Sequence, residues 1–272
     1  MKVKQWQAAT DNTLKVLAGT QRLGLISDVD GTLSPIVEKP DDAKVTPRNF
    51  ELLSKLKDEL ALVALISGRA AEDLNQRVGL PGIVYIGNHG LERWHEGKTI
   101  YSPAALPHFD AVENAYQELK SINSHGLVLE NKGISLSLHY RQNPSPENFA
   151  KEFRAKLENL AANSGLVLSQ GRKVFEFKPP LQIDKGTALR ELVIEAKLDA
   201  AIYLGDDTTD IAALKMAKQL RNEGLCNAWG IAVLSEERPD HLEAAADWFA
   251  SGVPDVEDFL GWLLIALSAS ST

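Results

Sequence analysis

The chain predicts an α/β fold in which a Rossmann-like parallel sheet is interrupted by an α+β insert, and two observations carry that expectation. Short apolar runs alternate with stretches of helical period, and each run ends in a loop rich in Asp, Ser, Gly or Asn. Between these runs lies a segment of different rhythm, in which a helix is followed by two alternating strands, twice over.

Leu23–Ile26 is apolar apart from one glycine and runs into Asp28-Val29-Asp30-Gly31-Thr32, as a buried parallel strand does where it ends in a loop. Thr46-Pro47 offers an N-cap with proline at the first helical position, and Phe50, Leu53, Leu56 and Leu60 roughly follow helical spacing. Leu62–Ile66 is a second buried strand, ending in Ser67-Gly68-Arg69. A helix through Leu74 and Val78, the breaker Leu80-Pro81-Gly82 and a third strand, Ile83–Ile86, complete a βαβαβ series ending in Gly87-Asn88-His89-Gly90.

In the segment of different rhythm, Phe109, Val112, Tyr116, Leu119 and Ile122 share one helix face, as do Phe149, Phe153, Leu157 and Leu160. Each helix precedes two short alternating runs, which gives αββαββ. Ile134, Leu136, Leu138 and Tyr140 alternate with Ser135, Ser137, His139 and Arg141. One sheet face is therefore apolar and carries the helices, while the other is polar. After Pro179-Pro180 the first rhythm returns, with a helix from about Gly186 and a strand Ala201–Leu204 ending in Gly205-Asp206-Asp207-Thr208-Thr209-Asp210. Another helix, a strand Ile231–Leu234, a short strand near Trp248 and a helix from Pro254 follow. The expected organisation is one core domain made of residues 1–101 and 179–272, with an insert at 102–178.

With 272 residues, 44% hydrophobic and 24% charged, the chain has globular proportions that exclude disordered and collagen-like classes. A net charge of −8 without a basic stripe excludes nucleic acid as the main partner. The single cysteine, Cys226, cannot form an intrachain disulfide and has no ligand neighbours at metal spacing, so it reads as a buried small hydrophobe in a reducing compartment. The first residues lack the apolar stretch of a signal peptide, and Phe259–Leu267 is far too short to span a bilayer. A cytoplasmic location with no membrane partner is expected, with a monomer the favoured state.

In open parallel sheets the loops at the carboxyl ends of the strands form the ligand crevice, and the acidic motifs fall there. Asp28 and Asp30 lie two apart in extended chain, so both can address one bound group; Gly31 permits the reversal after them and Thr32 adds a hydroxyl. Asp206, Asp207 and Asp210 crowd a second strand end. A solvated acidic loop with a helix cap is the plain reading of that end alone. Carboxylates gathered at one crevice require a cation, and an all-oxygen set suits Mg²⁺.

Asp28-Val29-Asp30-Gly31-Thr32-Leu33, Ser67-Gly68-Arg69, Lys185 in Ile183-Asp184-Lys185-Gly186, and Gly205 to Asp210 resemble the four ordered motifs of the haloacid dehalogenase (HAD) superfamily phosphatases. The resemblance implies a HAD-type core with an inserted cap domain. It makes Asp28 the nucleophile on a phosphate monoester and Asp30 the acid and base. It implies Mg²⁺ held by the Asp28 carboxylate, the Asp30 carbonyl and Asp206, with Asp207 and Asp210 nearby or through water. Ser67 and Lys185 would hold the phosphoryl oxygens, with Thr32, Gly68 and Arg69 beside them.

Gly87-Asn88-His89-Gly90-Leu91-Glu92, Leu129-Glu130-Asn131-Lys132-Gly133, Leu138-His139-Tyr140-Arg141 and Val174-Phe175-Glu176-Phe177-Lys178-Pro179 are similar to trehalose-6-phosphate phosphatases. That resemblance implies a phosphorylated disaccharide as substrate, gripped by Glu130, Lys132 and Glu176, with Asn88, His89 and Arg141 as further sugar-binding candidates. The chain departs from the pattern after Asp210, where Ile211-Ala212-Ala213 stands in place of the acidic residues common in that family. Other expectations are the same chemistry on a glucosylglycerol, mannosylglycerate or sucrose phosphate, a phosphomutase, and a non-catalytic phosphoacceptor signalling domain. The last needs neither Asp30 nor an insert.

Overall fold

The computed structural model describes residues 3–37, 42–122, 125–171, 173–236 and 239–270. The chain divides into two units, Met1–Thr99 with Ile183–Thr272, and Ile100–Gln182. It begins with β1 (Lys4–Gln5), a 3-10 turn (Trp6–Ala9), α1 (Thr13–Ala18), β2 (Leu23–Ser27), α2 (Pro47–Glu59), β3 (Leu62–Ile66), α3 (Ala71–Val78), β4 (Val84–Gly87), β5 (Glu92–His95) and β6 (Lys98–Tyr101). The second unit holds α4 (Phe109–Leu119), β7 (Val128–Asn131), β8 (Leu136–His139), α5 (Pro146–Asn163), β9 (Val167–Gly171) and β10 (Val174–Lys178). The chain then returns to the first unit with α6 (Lys185–Glu195), β11 (Ala200–Gly205), α7 (Asp210–Asn222), β12 (Asn227–Val233), α8 (Leu242–Ala245), β13 (Trp248–Ala250) and α9 (Gly252–Ser270).

Among the described residues the strands of the larger sheet lie in the order β1-β13-β12-β11-β2-β3-β4-β5-β6. Pairing is parallel from β1 to β4, and β5 turns antiparallel to β4. All five residues of β2 are buried because the sheet is covered on both faces, which is why the run is continuously apolar rather than alternating. Leu23 and Leu25 pack with Leu53 and Leu56 of α2 and Phe259 and Leu263 of α9. Ile26 packs on the opposite face with Leu189 and Leu192 of α6 and Leu214 and Leu220 of α7. This is the expected α/β core.

The helix ends follow their local signals. The Thr46 side chain accepts a hydrogen bond from the Asn49 N–H and Pro47 opens α2, as the sequence predicts. Asp184 and Thr187 form a capping box, so α6 begins at Lys185, one residue earlier than the pattern suggests. The β5–β6 hairpin was not legible: its strands are short and partly exposed, so the alternation is weak. Its turn, Glu96-Gly97, takes left-handed backbone at both residues, which matches the twist of a two-residue hairpin. The two-residue β1 and the short α1 carry too few periodic positions to be read.

In the second unit the strand order is β7-β8-β10-β9, antiparallel throughout. Leu136, Leu138, Phe175 and Phe177 pack against Val112 and Leu119 of α4 and Phe149 and Leu157 of α5, so the apolar face carries both helices as expected. On the other face Glu130, Ser137, Glu176 and Ser169 are paired in register across the four strands. Ser135 and Ser137 on that face are nonetheless buried. No helix among the described residues is long and apolar enough to cross a membrane. Cys226 is a free, buried thiol, and burial together with Asp199 pushes its pKa up to about 12.

The inner layer between α2, α9 and the sheet sets the core's stability. Leu53 is fully buried there, and Leu53→Ala is expected to cost about 2–5 kcal/mol, read as a lower urea midpoint at unchanged slope. A loss under ~0.5 kcal/mol would show that this layer is not close-packed.

Candidate active site

The site forms where the sheet's connections diverge. From β2 the chain passes through α2 to β3 on one side, whereas β11 pairs with β2 on the other, so the loops after β2 and β11 splay apart around a crevice. The Asp28 N–H donates to the Leu204 carbonyl at 2.9 Å, carrying the pairing one residue past the strand and setting Asp28 beside the second acidic loop. Gly31 has φ +92°, and a Cβ there would lie 2.0 Å from an Asp206 carboxylate oxygen. Only glycine lets the two loops approach this closely.

Lys185, at the first position of α6, joins these loops. Its ammonium donates to Asp28 Oδ1 at 2.7 Å and to Asp210 Oδ1 at 2.8 Å, with 2% of the side chain exposed. Asp210 Oδ1 also accepts from the Tyr203 hydroxyl at 2.6 Å, and its Oδ2 accepts from the N–H groups of Asp206 and Asp207 at 3.1 and 2.9 Å. Asp210 thus fixes the loop after β11 and the ammonium together. A buried carboxylate survives because four donors replace its water.

The charges at the site do not balance. Asp28, Asp206 and Asp210 are buried and offer oxygens within 4.8 Å of one another, against one ammonium. Burial is the largest influence on Asp28 and raises its pKa to about 7; Lys185 opposes this, while Asp210 and Asp30 add to it. Burial pulls Lys185 down, but Asp210 and Asp28 outweigh it and hold the ammonium charged well above its ordinary range. Burial and Asp210 push the Tyr203 hydroxyl up, keeping it a donor. A divalent cation suits this oxygen cluster, since it would neutralise the surplus negative charge that burial otherwise forces onto a proton. The Thr32 hydroxyl, buried beside Asp30 in the chain, has no hydrogen-bond partner among the described residues.

Two further loops complete the crevice. Ser67 ends β3, its hydroxyl accepting from the Arg69 N–H at 3.2 Å. The loop after β4 braces it: the His89 N–H donates to the Ser67 carbonyl at 3.0 Å and the Asn88 N–H to the Arg69 carbonyl at 2.8 Å. Asn88 and His89 both adopt left-handed backbone, and both are buried. The imidazole packs over Gly68, where a Cβ would meet it at 2.7 Å. The Arg69 guanidinium lies on Asp30, with Nε and Nη2 donating to its two oxygens at 2.7 and 2.8 Å.

In the second unit, Glu130 Oε2 lies 3.1 Å from His139 Nε2 and 3.8 Å from Lys132 Nζ. Glu176 pairs with Lys178 at 2.9 Å and accepts from the Ser169 hydroxyl at 3.4 Å. Lys132 has only 7% of its side chain exposed. Arg141 is half-buried two residues past β8. The structure therefore brings Asp28, Asp30, Thr32, Ser67, Gly68, Arg69, Asn88, His89, Lys185, Asp206, Asp207 and Asp210 to the strand ends of one unit, and Glu130, Lys132 and Glu176 to one sheet face of the other. Ser137 and Lys178 stand on the same face; sequence reasoning put Ser137 on the polar side of its strand but gave neither a site role, which the strand parity of Glu130 and Glu176 could have suggested. It also missed Tyr203, which in sequence is only one more residue of a buried strand.

The family model for trehalose-phosphatase matches residues 26–248. A trehalose-phosphate phosphatase of Mycobacterium marinum is 33% identical over 256 residues, covering 91% of this chain and 63% of that protein. A probable trehalose-phosphate phosphatase J of Arabidopsis thaliana is 31% identical over 263 residues, covering 90% of this chain and 68% of that one. The chain thus spans a little under two thirds of the mycobacterial relative's length. The C-terminal domain of the C. albicans trehalose-6-phosphate phosphatase superposes with a TM-score of 0.80 at 21% identity, covering 97% of this chain and 98% of that one, and so has the same fold.

The raised pKa of Asp28 gives a metal test with a definite sign. Between about pH 4 and 7 the unfolded chain ionises this carboxyl while the metal-free fold keeps it protonated, so its contribution to stability is lost as pH rises through that window. A cation binding the ionised form should stabilise the protein by about 2.7 kcal/mol at pH 8 at a hundredfold excess over Kd, and by less than that at pH 5.5 at the same concentration. Thermal unfolding with and without Mg²⁺ reads this; equal shifts at the two pH values, or none, would remove the cluster as a cation site.

Proposed function

This chain belongs to the trehalose-phosphatase family, and we propose that it hydrolyses trehalose 6-phosphate to trehalose and inorganic phosphate, with Mg²⁺ as its metal and the cytoplasm as its compartment. The observation that carries this reading is the Lys185 ammonium buried between Asp28 and Asp210 at the switch of the sheet. It provides a carboxylate nucleophile with a fixed cation against it, which phosphoryl transfer requires because catalysis there is mostly positioning and charge compensation.

In this reading an Asp28 oxygen attacks phosphorus as the bond to the sugar oxygen breaks, and Asp30 gives its proton to that oxygen. Water then attacks the aspartyl-phosphate while Asp30 takes a proton from it, which frees phosphate and restores both carboxyl groups. Lys185 offsets the negative charge between Asp28 and the phosphoryl group, and the hydroxyls of Ser67 and Thr32 hold the phosphoryl oxygens. Asp28, the Asp30 carbonyl and Asp206 would hold Mg²⁺, with Asp207 and Asp210 around it; the ion, when bound, supplies charge neutralisation on the phosphoryl oxygens. Specificity is assigned to the Ile100–Gln182 unit, where Glu130, Lys132 and Glu176 bind sugar hydroxyls, with Arg141 as a further sugar-binding candidate. The buried Ser137 hydroxyl, which has no partner among the described residues, sits in register between Glu130 and Glu176 and supports a polyhydroxyl ligand on that face.

Phosphate release from a panel of trehalose 6-phosphate, sucrose, glucosylglycerol and mannosylglycerate phosphates tests the substrate, with Asp28→Asn as the control for the nucleophile. Preference for trehalose 6-phosphate, and loss of turnover and of the acid-stable ³²P-phosphoenzyme in the variant, are expected; ordinary turnover by Asp28→Asn would reassign the nucleophile. Glu130→Ala and Glu176→Ala should lower kcat/KM on trehalose 6-phosphate by about 1–3 kcal/mol of binding more than on p-nitrophenyl phosphate. Equal losses on both would place these residues in folding or general catalysis instead.

A further inference from the structure

Asp30 is held from behind. The planar fork of Arg69 engages both of its oxygens, at 2.7 and 2.8 Å, and that guanidinium is itself fixed. Its Nη1 donates to Asp73 in the first turn of α3 at 3.3 Å, Asp73 accepts from Arg77 one turn on at 2.8 and 2.9 Å, and Arg77 reaches the Ala43 carbonyl at 3.3 Å. The far half of the chain of contacts Asp30–Arg69–Asp73–Arg77 stands on α3, and only 11% of the Arg69 side chain is exposed. A guanidinium engaged with two carboxylates along its edges is poorly disposed to be the main phosphate ligand. A carboxylate has about four lone-pair sites, so a two-point fork fixes its plane and leaves acceptor capacity on both oxygens.

We propose that Arg69 is a positioning residue for Asp30, holding that carboxyl group where it exchanges a proton with the leaving sugar oxygen and the attacking water, and is not a phosphate-binding group. The inference rests on the phosphatase reading above and names the device that orients its acid and base. Its consequence is a dependence on the leaving group. A sugar alkoxide leaves only as it is protonated, whereas p-nitrophenolate leaves without help, so misplacing Asp30 damages the first reaction selectively. A residue that gripped the phosphoryl group would matter equally to both, since both substrates carry the same phosphate.

The test compares wild type, Arg69→Gln and Arg69→Lys on trehalose 6-phosphate and on a series of alkyl and aryl phosphates, using kcat/KM because it reads only the steps up to the phosphoenzyme. General acid assistance is typically worth ~10²–10⁴-fold, so the loss on alkyl and sugar phosphates should exceed that on p-nitrophenyl phosphate by about 10²-fold, giving a steeper dependence on leaving-group pKa. Lysine keeps the charge without the fork, so Arg69→Lys should show the same selective loss even if Arg69→Gln folds poorly. Parallel losses across the series, or restoration of all substrates by lysine, would overturn the proposal and return Arg69 to phosphate binding. Wild-type turnover of the simple phosphates without trehalose 6-phosphate would remove the sugar assignment and leave this inference standing. No wild-type turnover of any phosphate would overturn the phosphatase reading and this inference with it.

Discussion

The ammonium of Lys185, buried between Asp28 and Asp210, is the contact on which the rest of the site depends. An unpaired charge cannot be buried without a penalty of several kcal/mol, so wherever Lys185 goes both acidic loops must follow. It ties the end of β2 to the start of α7 across the N-terminus of α6, joining residues 157 apart in the chain. Asp210 accepts from four donors, two of them the N–H groups of Asp206 and Asp207, so one carboxylate sets the conformation of the whole loop after β11. The negative charge still in excess is what a cation would neutralise.

This tie also constrains the packing behind it. For Lys185 to reach both carboxylates, α6 must start close against α7, and a Cβ on Gly186 would lie 2.7 Å from the Ala212 carbonyl. Ala213 is buried in the same contact. The small residues at Ala212 and Ala213 permit this close approach of the two helices. On the other side of β2 the left-handed backbone of Asn88 and His89 performs a similar task, directing two N–H groups at the loop after β3. Such conformations cost of order 1 kcal/mol or more and persist where surrounding contacts fix them.

The second unit follows a different logic. Its polar face is a row in which Glu130, Ser137 and Glu176 are direct cross-strand neighbours, with Lys178 at the end of β10 and Lys132 just past the end of β7, each two residues on from its glutamate. The two carboxylates are kept one strand apart by Ser137 of β8, and each is offset by its own lysine. The arrangement alternates acceptors and donors at sheet spacing, which suits a ring of hydroxyls better than a single ion.

Sequence by itself determined what depends on local period and local capping. The apolar runs of β2, β3 and β11, the Thr46-Pro47 start of α2, the face parity of β8 and the acidic strand ends all follow from side-chain spacing along a few residues, and the chain folds accordingly. The weakly alternating hairpin Glu92–Tyr101 was lost because edge strands of four residues carry little periodic signal. Partnership was decided only by tertiary structure. That Lys185 meets Asp210 as well as Asp28, that Tyr203 donates to Asp210, and that Arg69 closes on Asp30 depend on which strand ends become neighbours. A sequence specifies which charges will be buried at strand ends; only the folded sheet order, by making remote carboxylates and cations neighbours in a medium where each must be paired, settles which one answers which.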